Sequence, residues 1–390
     1  MGLTVHLDPE EERILGGEFG ETRQKMMEIL LALGTIFEAG ELVPITSAQI
    51  SGASYKTIGR WGLEWIKSLD ARVAVPAILN PIGMPRDRWQ EMGIEEDFAR
   101  KQKEVIDAYR RLGVKLECTC TPYYLSLTHY GDHLAWSESS AVIYANSVIG
   151  ARTNREGGPG ALAAAIIGKT PKYGLHLVEK RSPQIAFHID SDTFSSPIHY
   201  GAIGYIAGDI AGNRIPIFTG IRPARDQLKA LGAAMAATGA VPLFHVEGIT
   251  PESRVFHYRS EELETITIEH TEVEELFSKL GADAVAVGCP HCSPEELDQI
   301  AELLRGKSVK KPFFIFAARR VIESAPDTVA EIERSGARVY ADTCMVVSPG
   351  MERFRTIMVN SGKAFAYVPS MCGAQARLGT LEECVEEATR

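Results

Sequence analysis

Apolar runs and amphipathic stretches take turns along this chain, most regularly in its second half. From about residue 223 the pattern predicts a helix, strands over 241–246 and 264–269, a helix over 273–280 and a strand over 284–287. It continues with a helix over 294–304, a strand over 312–316, a helix over 328–335, and strands over 337–340 and 354–359. Strands alternating with helices of this length form parallel βαβ units. The first half is less even. Asp8 ahead of Pro9 and three glutamates reads as a capped helix start. A helix follows over 21–38, a short strand over 42–47, a helix over 55–69 and an apolar strand over 72–79. Segments 139–150 and 160–168 are so rich in small residues that they predict closely packed helices, separated by a glycine-rich turn at 153–160. A strand over 184–189 precedes a tight helix and turn over 201–215. The fold class is α/β, with parallel βαβ sheets in two or three interlocked lobes over 1–390, divided roughly into 1–220 and 221–390.

Composition narrows the function. The chain has 390 residues, 45% of them hydrophobic and 24% charged, as in an ordinary globular protein. Its net charge of −10 is spread along the chain, and no basic stripe offers a nucleic acid a footprint. No apolar stretch is long enough to span a bilayer, and the first residues lack the basic and apolar regions of a secretory signal. A cytoplasmic location is expected. Seven cysteines, an odd number, argue against a disulfide framework.

Four of those cysteines stand where strands are expected to end. Cys120 closes VKLECTC, Cys289 and Cys292 follow ADAVAVG, and Cys344 closes ARVYADTC. Open α/β sheets place ligands at the carboxyl ends of their strands, so three distant segments can deliver thiolates to one crevice. Such thiolates suit an iron–sulfur cluster; zinc would use the same donors in a closed, structural site. The run Cys289-Pro290-His291-Cys292 at a helix start also admits a thiol–disulfide oxidoreductase. Cys118 and Cys384 read as structural thiols, and His188 and His245 as core histidines. His291, between two cysteines, is the histidine of interest. Ser51-Gly52-Ala53-Ser54, before a helix, is shaped to hold an anion. Asn80-Pro81, the serines at 137–140 and Ser361-Gly362-Lys363 are similar polar turns, and Arg152 and Arg155 cluster positive charge.

Taken together, several of these motifs resemble the aconitase X family. They are Thr119-Cys120-Thr121-Pro122-Tyr123, Trp136-Ser137-Glu138-Ser139-Ser140-Ala141, Ala145-Asn146-Ser147 and Gly150-Ala151-Arg152-Thr153-Asn154. Gly288-Cys289-Pro290-His291, Asp342-Thr343-Cys344 and Asn360-Ser361-Gly362-Lys363 complete the set. The resemblance runs over essentially the whole length and implies an aconitase-like fold and a hydro-lyase. One type of the family is a longer chain with a fused small swivel domain, which dehydrates cis-3-hydroxy-L-proline. The other type is split into a large and a small subunit and dehydrates mevalonate 5-phosphate to trans-anhydromevalonate 5-phosphate. Because the chain stops at Arg390, the split type is expected, with the swivel domain on a separate partner subunit. The resemblance implies a 4Fe-4S cluster, isolable as a 3Fe-4S or apo form, on Cys120, Cys344 and Cys289, with Cys292 as the alternative to Cys289. It implies substrate contacts at Gly52, Ala53, Ser54, Asn80, Pro81, Ser139 and Lys363. The base is unassigned; the partner subunit and His291 are the candidates.

Overall fold

Short runs of valine, isoleucine and alanine, buried on both faces, are the material of parallel sheets, and this chain builds several. The computed structural model describes residues 5–125, 128–189, 194–255, 263–277 and 281–390. Among the described residues, three parallel sheets follow one another along the chain.

The first sheet orders its strands Lys115–Cys118, Ala77–Leu79, Ser47–Ile50 and Leu134–Trp136. The second orders Thr265–Ile268, Ile185–Ile189, Pro216–Thr219 and His245–Val246. The third orders Arg338–Ala341, Phe313–Ala317, Ala284–Cys292, Thr356–Val359 and Gln375–Leu378. A small antiparallel pair, Leu42–Pro44 with Lys169–Pro171, adjoins the first. The expected α/β class with parallel sheets is what the chain forms. The division expected near residue 220 falls inside the second sheet, between Pro216–Thr219 and His245–Val246; no polar linker marks the true breaks for a hydropathy reading.

Helix boundaries follow local chemistry. Asp8 accepts from the backbone of Glu10 and Glu11 and caps Pro9–Leu15. Ser293 and Glu296 form a capping box on Pro294–Leu304. The small-residue segments do pack closely. Ser139–Tyr144 runs into a π-helical turn, Ala145–Ile149, and Gly158–Ile167 is buried almost throughout. Pro197–Ala211 replaces the helix expected over 201–215, because Pro197 starts it one turn earlier. The strand expected over 72–79 shrinks to Ala77–Leu79, since Val73 and Ala74 donate to Leu112 and Ala165 outside the ladder. The helix expected over 273–280 is described as His270–Glu274; residues 278–280 lie outside the described residues.

The sheets do not fold as beads. One core cluster runs from Met84 through Phe187, Phe218 and Leu231 to Phe316 and Val359, so it takes in side chains from the second and third sheets and the helices between them. A second fills the first lobe around Met26, Ile50 and Leu79, and a third covers the other face of the third sheet around Val285, Leu297 and Ile315. Gly362, at the start of Gly362–Cys372, comes so near Pro197–Ala211 that a Cβ there would stand 2.3 Å from the Gly201 carbonyl oxygen. Such contacts fix the third lobe against the second.

Candidate active site

A cavity of ≈ 400 Å³ opens where the carboxyl ends of the first and third sheets meet. Every strand of the first sheet sends a residue into its lining: Ser51 after Ser47–Ile50, Asn80 after Ala77–Leu79, Cys120 after Lys115–Cys118, and Ser137 after Leu134–Trp136. The third sheet contributes Gly288 and Cys289 within Ala284–Cys292, Cys344 beyond Arg338–Ala341, and Lys363 beyond Thr356–Val359. Strand-end loops are where parallel sheets place chemistry.

The backbone at Cys289 depends on Gly288. Its φ of 94° is a left-handed conformation, and a Cβ would stand 2.1 Å from the Phe316 carbonyl oxygen. Gly288→Ala is expected to cost roughly 2–5 kcal/mol, backbone strain plus a clash with an adjacent strand. Gly306 also has positive φ, 73°, but open space around it, so Gly306→Ala should cost only about 1–2 kcal/mol. Urea unfolding of the two variants checks the difference.

Hydrogen bonds tie the three thiol loops together. The His291 backbone N–H donates to Cys120 Sγ at 3.1 Å. The ring reaches the segments before the other two thiols, with Nδ1 3.1 Å from Thr119 Oγ1 and Nε2 2.9 Å from the Thr343 carbonyl oxygen. Ser361 donates to the Cys289 carbonyl while accepting from the Ala364 N–H, which links the Cys289 loop to the Lys363 helix. Ile82 N–H donates to Asp342 O, and Cys344 N–H to Ile82 O, stitching the first lobe to the third. Asp342, at φ 64° and fully buried, is clamped by Arg86 and Arg319.

Opposite the thiols lies a buried ion pair. Lys363 donates to Glu138 and, at 3.1 Å, to Ser140 Oγ; Glu138 also accepts from Ser140 Oγ at 2.6 Å and from the Ala141 N–H at 2.8 Å. Burial alone would raise the Glu138 pKa, but Lys363, Ser140 and the Ala141 N–H outweigh it and hold the carboxyl below its ordinary value. Burial likewise works against the Lys363 ammonium, yet Glu138 and the thiols carry its pKa upward. Both directions describe an ionised pair. Asn80 Oδ1 and Ser137 Oγ, also in the lining, are buried polar atoms without a hydrogen-bond partner, and orphans of this kind await a ligand or water. Burial pushes Glu156, another lining residue, up to about 7; its carboxyl lies between Thr170 Oγ1 and the start of Gly158–Ile167.

Three thiols meet in this cavity in a form that fits a cationic cluster. Burial pushes Cys120 up to about 12 and raises Cys289 and Cys344, with Lys363 only partly opposing it. Thiols so placed are neutral until a metal charge compensates them. Among the described residues, no three His, Cys, Asp or Glu side chains close around a single-ion site. Cys120, Cys289 and Cys344 are the residues that would hold the cluster.

Of the residues singled out from the sequence, Cys120, Cys289, Cys344, Asn80, Pro81, Ser139, Lys363 and His291 all line the cavity. Cys292 does not; it packs with Val287, Leu297 and Ala317 in the core on the other face of the sheet. Gly52, Ala53 and Ser54 stand behind Ser51, where Ala53 and Ser54 are buried and Gln102 binds the Ala53 carbonyl. His291 is no free base: burial pulls its pKa down to about 4, and both ring nitrogens are engaged. Ser137, Glu138 and Arg155, which the sequence offered only as parts of a polar turn and a basic cluster, also line the cavity. The clue to Glu138 was an acid in N-cap register, after an apolar strand and before two serines.

Comparison with known proteins places this architecture. Profiles of the aconitase X first, second and third domains match residues 4–179, 183–278 and 282–390, which agrees with the three parallel sheets. The phosphomevalonate dehydratase large subunit of Methanosarcina mazei is 53% identical, over 99% of this chain and 97% of that protein. Its counterpart from Methanocaldococcus jannaschii is 44% identical, over 98% and 100%. The cis-3-hydroxy-L-proline dehydratase of Hypocrea jecorina is 33% identical, over 100% of this chain and 69% of that protein. The crystal structure of Thermococcus kodakaraensis aconitase X in its holo form superposes with a TM-score of 0.91 at 44% identity, covering 98% of this chain and 100% of that one. The chain is a member of the aconitase X family.

Proposed function

We propose that this chain is the large subunit of a phosphomevalonate dehydratase, which removes water from (R)-5-phosphomevalonate to give trans-anhydromevalonate 5-phosphate in a mevalonate pathway. The observation that carries the reading is the cavity itself, which is lined by the buried Cys120 and Cys289 thiols, the half-buried Cys344 thiol, the Lys363–Glu138 pair and unpartnered polar groups. Relatives with this activity in their names are 34–53% identical and are matched over 96–100% of their length, whereas two cis-3-hydroxy-L-proline dehydratases are 33% identical and are matched over 69–70% of theirs.

The substrate carries a tertiary alcohol β to a carboxylate, so both the leaving group and the α-proton are poor. Cys120, Cys289 and Cys344 would hold a 4Fe-4S cluster, which would supply a Lewis acid for the departing hydroxyl. Lys363 faces the carboxylate and stabilises the charge that grows on it as the α-proton leaves. Asn80 and Ser137 orient the hydroxy acid through the atoms now left unpaired. Arg155, exposed and in the lining, is the cation for the phosphate. Glu138 is neutralised by Lys363 and His291 is fully engaged, so the α-proton acceptor is assigned to the small swivel-domain partner subunit.

Anaerobic reconstitution of this chain with iron and sulfide, with and without its small subunit, tests the reading. A brown protein that dehydrates mevalonate 5-phosphate only in the mixture is expected. Full activity without the small subunit, or faster turnover of cis-3-hydroxy-L-proline, would refute it.

A further inference from the structure

We infer that His291 is a positioning residue, a clasp that sets the spacing of the Cys120, Cys289 and Cys344 thiols. The inference rests on the cluster-site reading above. One residue touches all three thiol-bearing segments. It follows Cys289 by two positions, its backbone N–H donates to Cys120 Sγ at 3.1 Å, and its ring lies between Thr119 and Thr343. A carbonyl oxygen only accepts, so the bond to Thr343 O places the ring proton on Nε2. Nδ1 pairs with the Thr119 hydroxyl at 3.1 Å. Thr119 Oγ1 is in turn held by the Thr121 N–H and hydroxyl, both at 3.0 Å. The buried Lys229 ammonium donates to the His291 carbonyl at 3.2 Å, fixing the backbone from the other side. One bond of this set ends on a sulfur, and the others hold the segments that carry the thiols. Residues of this kind around metal ligands change metal affinity by about 10–100-fold when removed.

The test compares His291→Ala, His291→Gln, His291→Asn and a core control, Leu297→Ala, in the full-length chain reconstituted with iron and sulfide. Iron per chain, the half-time of cluster loss to a chelator and the cluster reduction potential are measured, with melting temperature alongside. His291→Ala is expected to lose its cluster about 10–100-fold faster and to shift the potential. Glutamine can still reach the Thr343 carbonyl from the Nε2 position and asparagine can accept from Thr119, so each should recover part of the loss. Leu297→Ala should melt lower and keep its cluster. Wild-type retention by His291→Ala overturns the inference, as does equally fast loss from an equally destabilised Leu297→Ala. A wild-type chain that takes up no iron overturns the cluster reading itself.

Discussion

Replacing Cys120, Cys289 or Cys344 singly with serine is expected to abolish the brown colour and lower dehydration by roughly 10³-fold or more, because a Lewis acid contributes several kcal/mol to such a step. The same change at Cys292 should leave iron content and turnover near wild type. Cys292 stands among Val287, Leu297 and Ala317, where a hydroxyl finds no partner, so Cys292→Ser should instead cost about 1–3 kcal/mol of stability. Iron counting, visible spectra and urea unfolding on all four variants separate the outcomes. Loss of the cluster from Cys292→Ser with retention in Cys289→Ser would reverse the ligand set.

The two outcomes differ because the strand Ala284–Cys292 sends its residues to opposite faces of a sheet. Ala284, Ala286 and Cys289 belong to the core shared with the second sheet, whereas Val285, Val287 and Cys292 belong to the core under the helices of the third. That distinction was not readable in the run Cys289-Pro290-His291-Cys292. Both thiols follow the same apolar segment, and only the pairing with Phe313–Ala317 and the register shift before Cys292 decide which faces the cavity.

More generally, what the chain announces locally was legible, and what it assembles over distance was not. Proline, glycine and capping residues marked helix ends, and runs such as 284–287 marked strands, because those signals act within a turn. The charged helix Glu96–Arg111 escaped notice, since its buried Ala99, Val105, Ile106 and Tyr109 are diluted by surface ion pairs such as Arg100 with Asp97. The number of lobes stayed open between two and three because strands of two to five residues in the second sheet leave a weak period. In the site, the cysteines stood out by their place at strand ends. Lys363 was marked by its polar turn and Glu138 by its N-cap register, but their pairing across 225 positions was not legible, since only the fold brings their loops together.

That pair supports the largest stability effect expected in the site, one whose sign depends on pH. In the wild type the Glu138 pKa lies below its ordinary 4.5, so its contribution is present above that value and lost as pH falls through the lower, folded value. The Lys363 pKa lies above its ordinary 10.5, so its contribution is complete below that value and fades only at higher pH. At neutral pH both are intact. Lys363→Met removes the cation and leaves a buried carboxylate, a loss of about 3–5 kcal/mol near pH 7. Without Lys363 only Ser140 and the Ala141 N–H oppose the desolvation that raises the Glu138 pKa, so the carboxyl shifts toward its neutral form. The variant should therefore become less stable as pH rises above about 4.5, whereas the wild type gains stability from Glu138 only up to about that value. Adding Glu138→Leu removes the stranded charge and should recover most of the stability, because apolar replacement of a buried pair is often neutral or better. Activity should stay down by roughly 10²–10³-fold in both variants, since the donor facing the substrate carboxylate is gone. Urea unfolding between about pH 4 and 7, with turnover by the assembled enzyme, checks all three expectations. A Lys363→Met chain whose stability climbs with pH like the wild type would show that Glu138 is not held by Lys363.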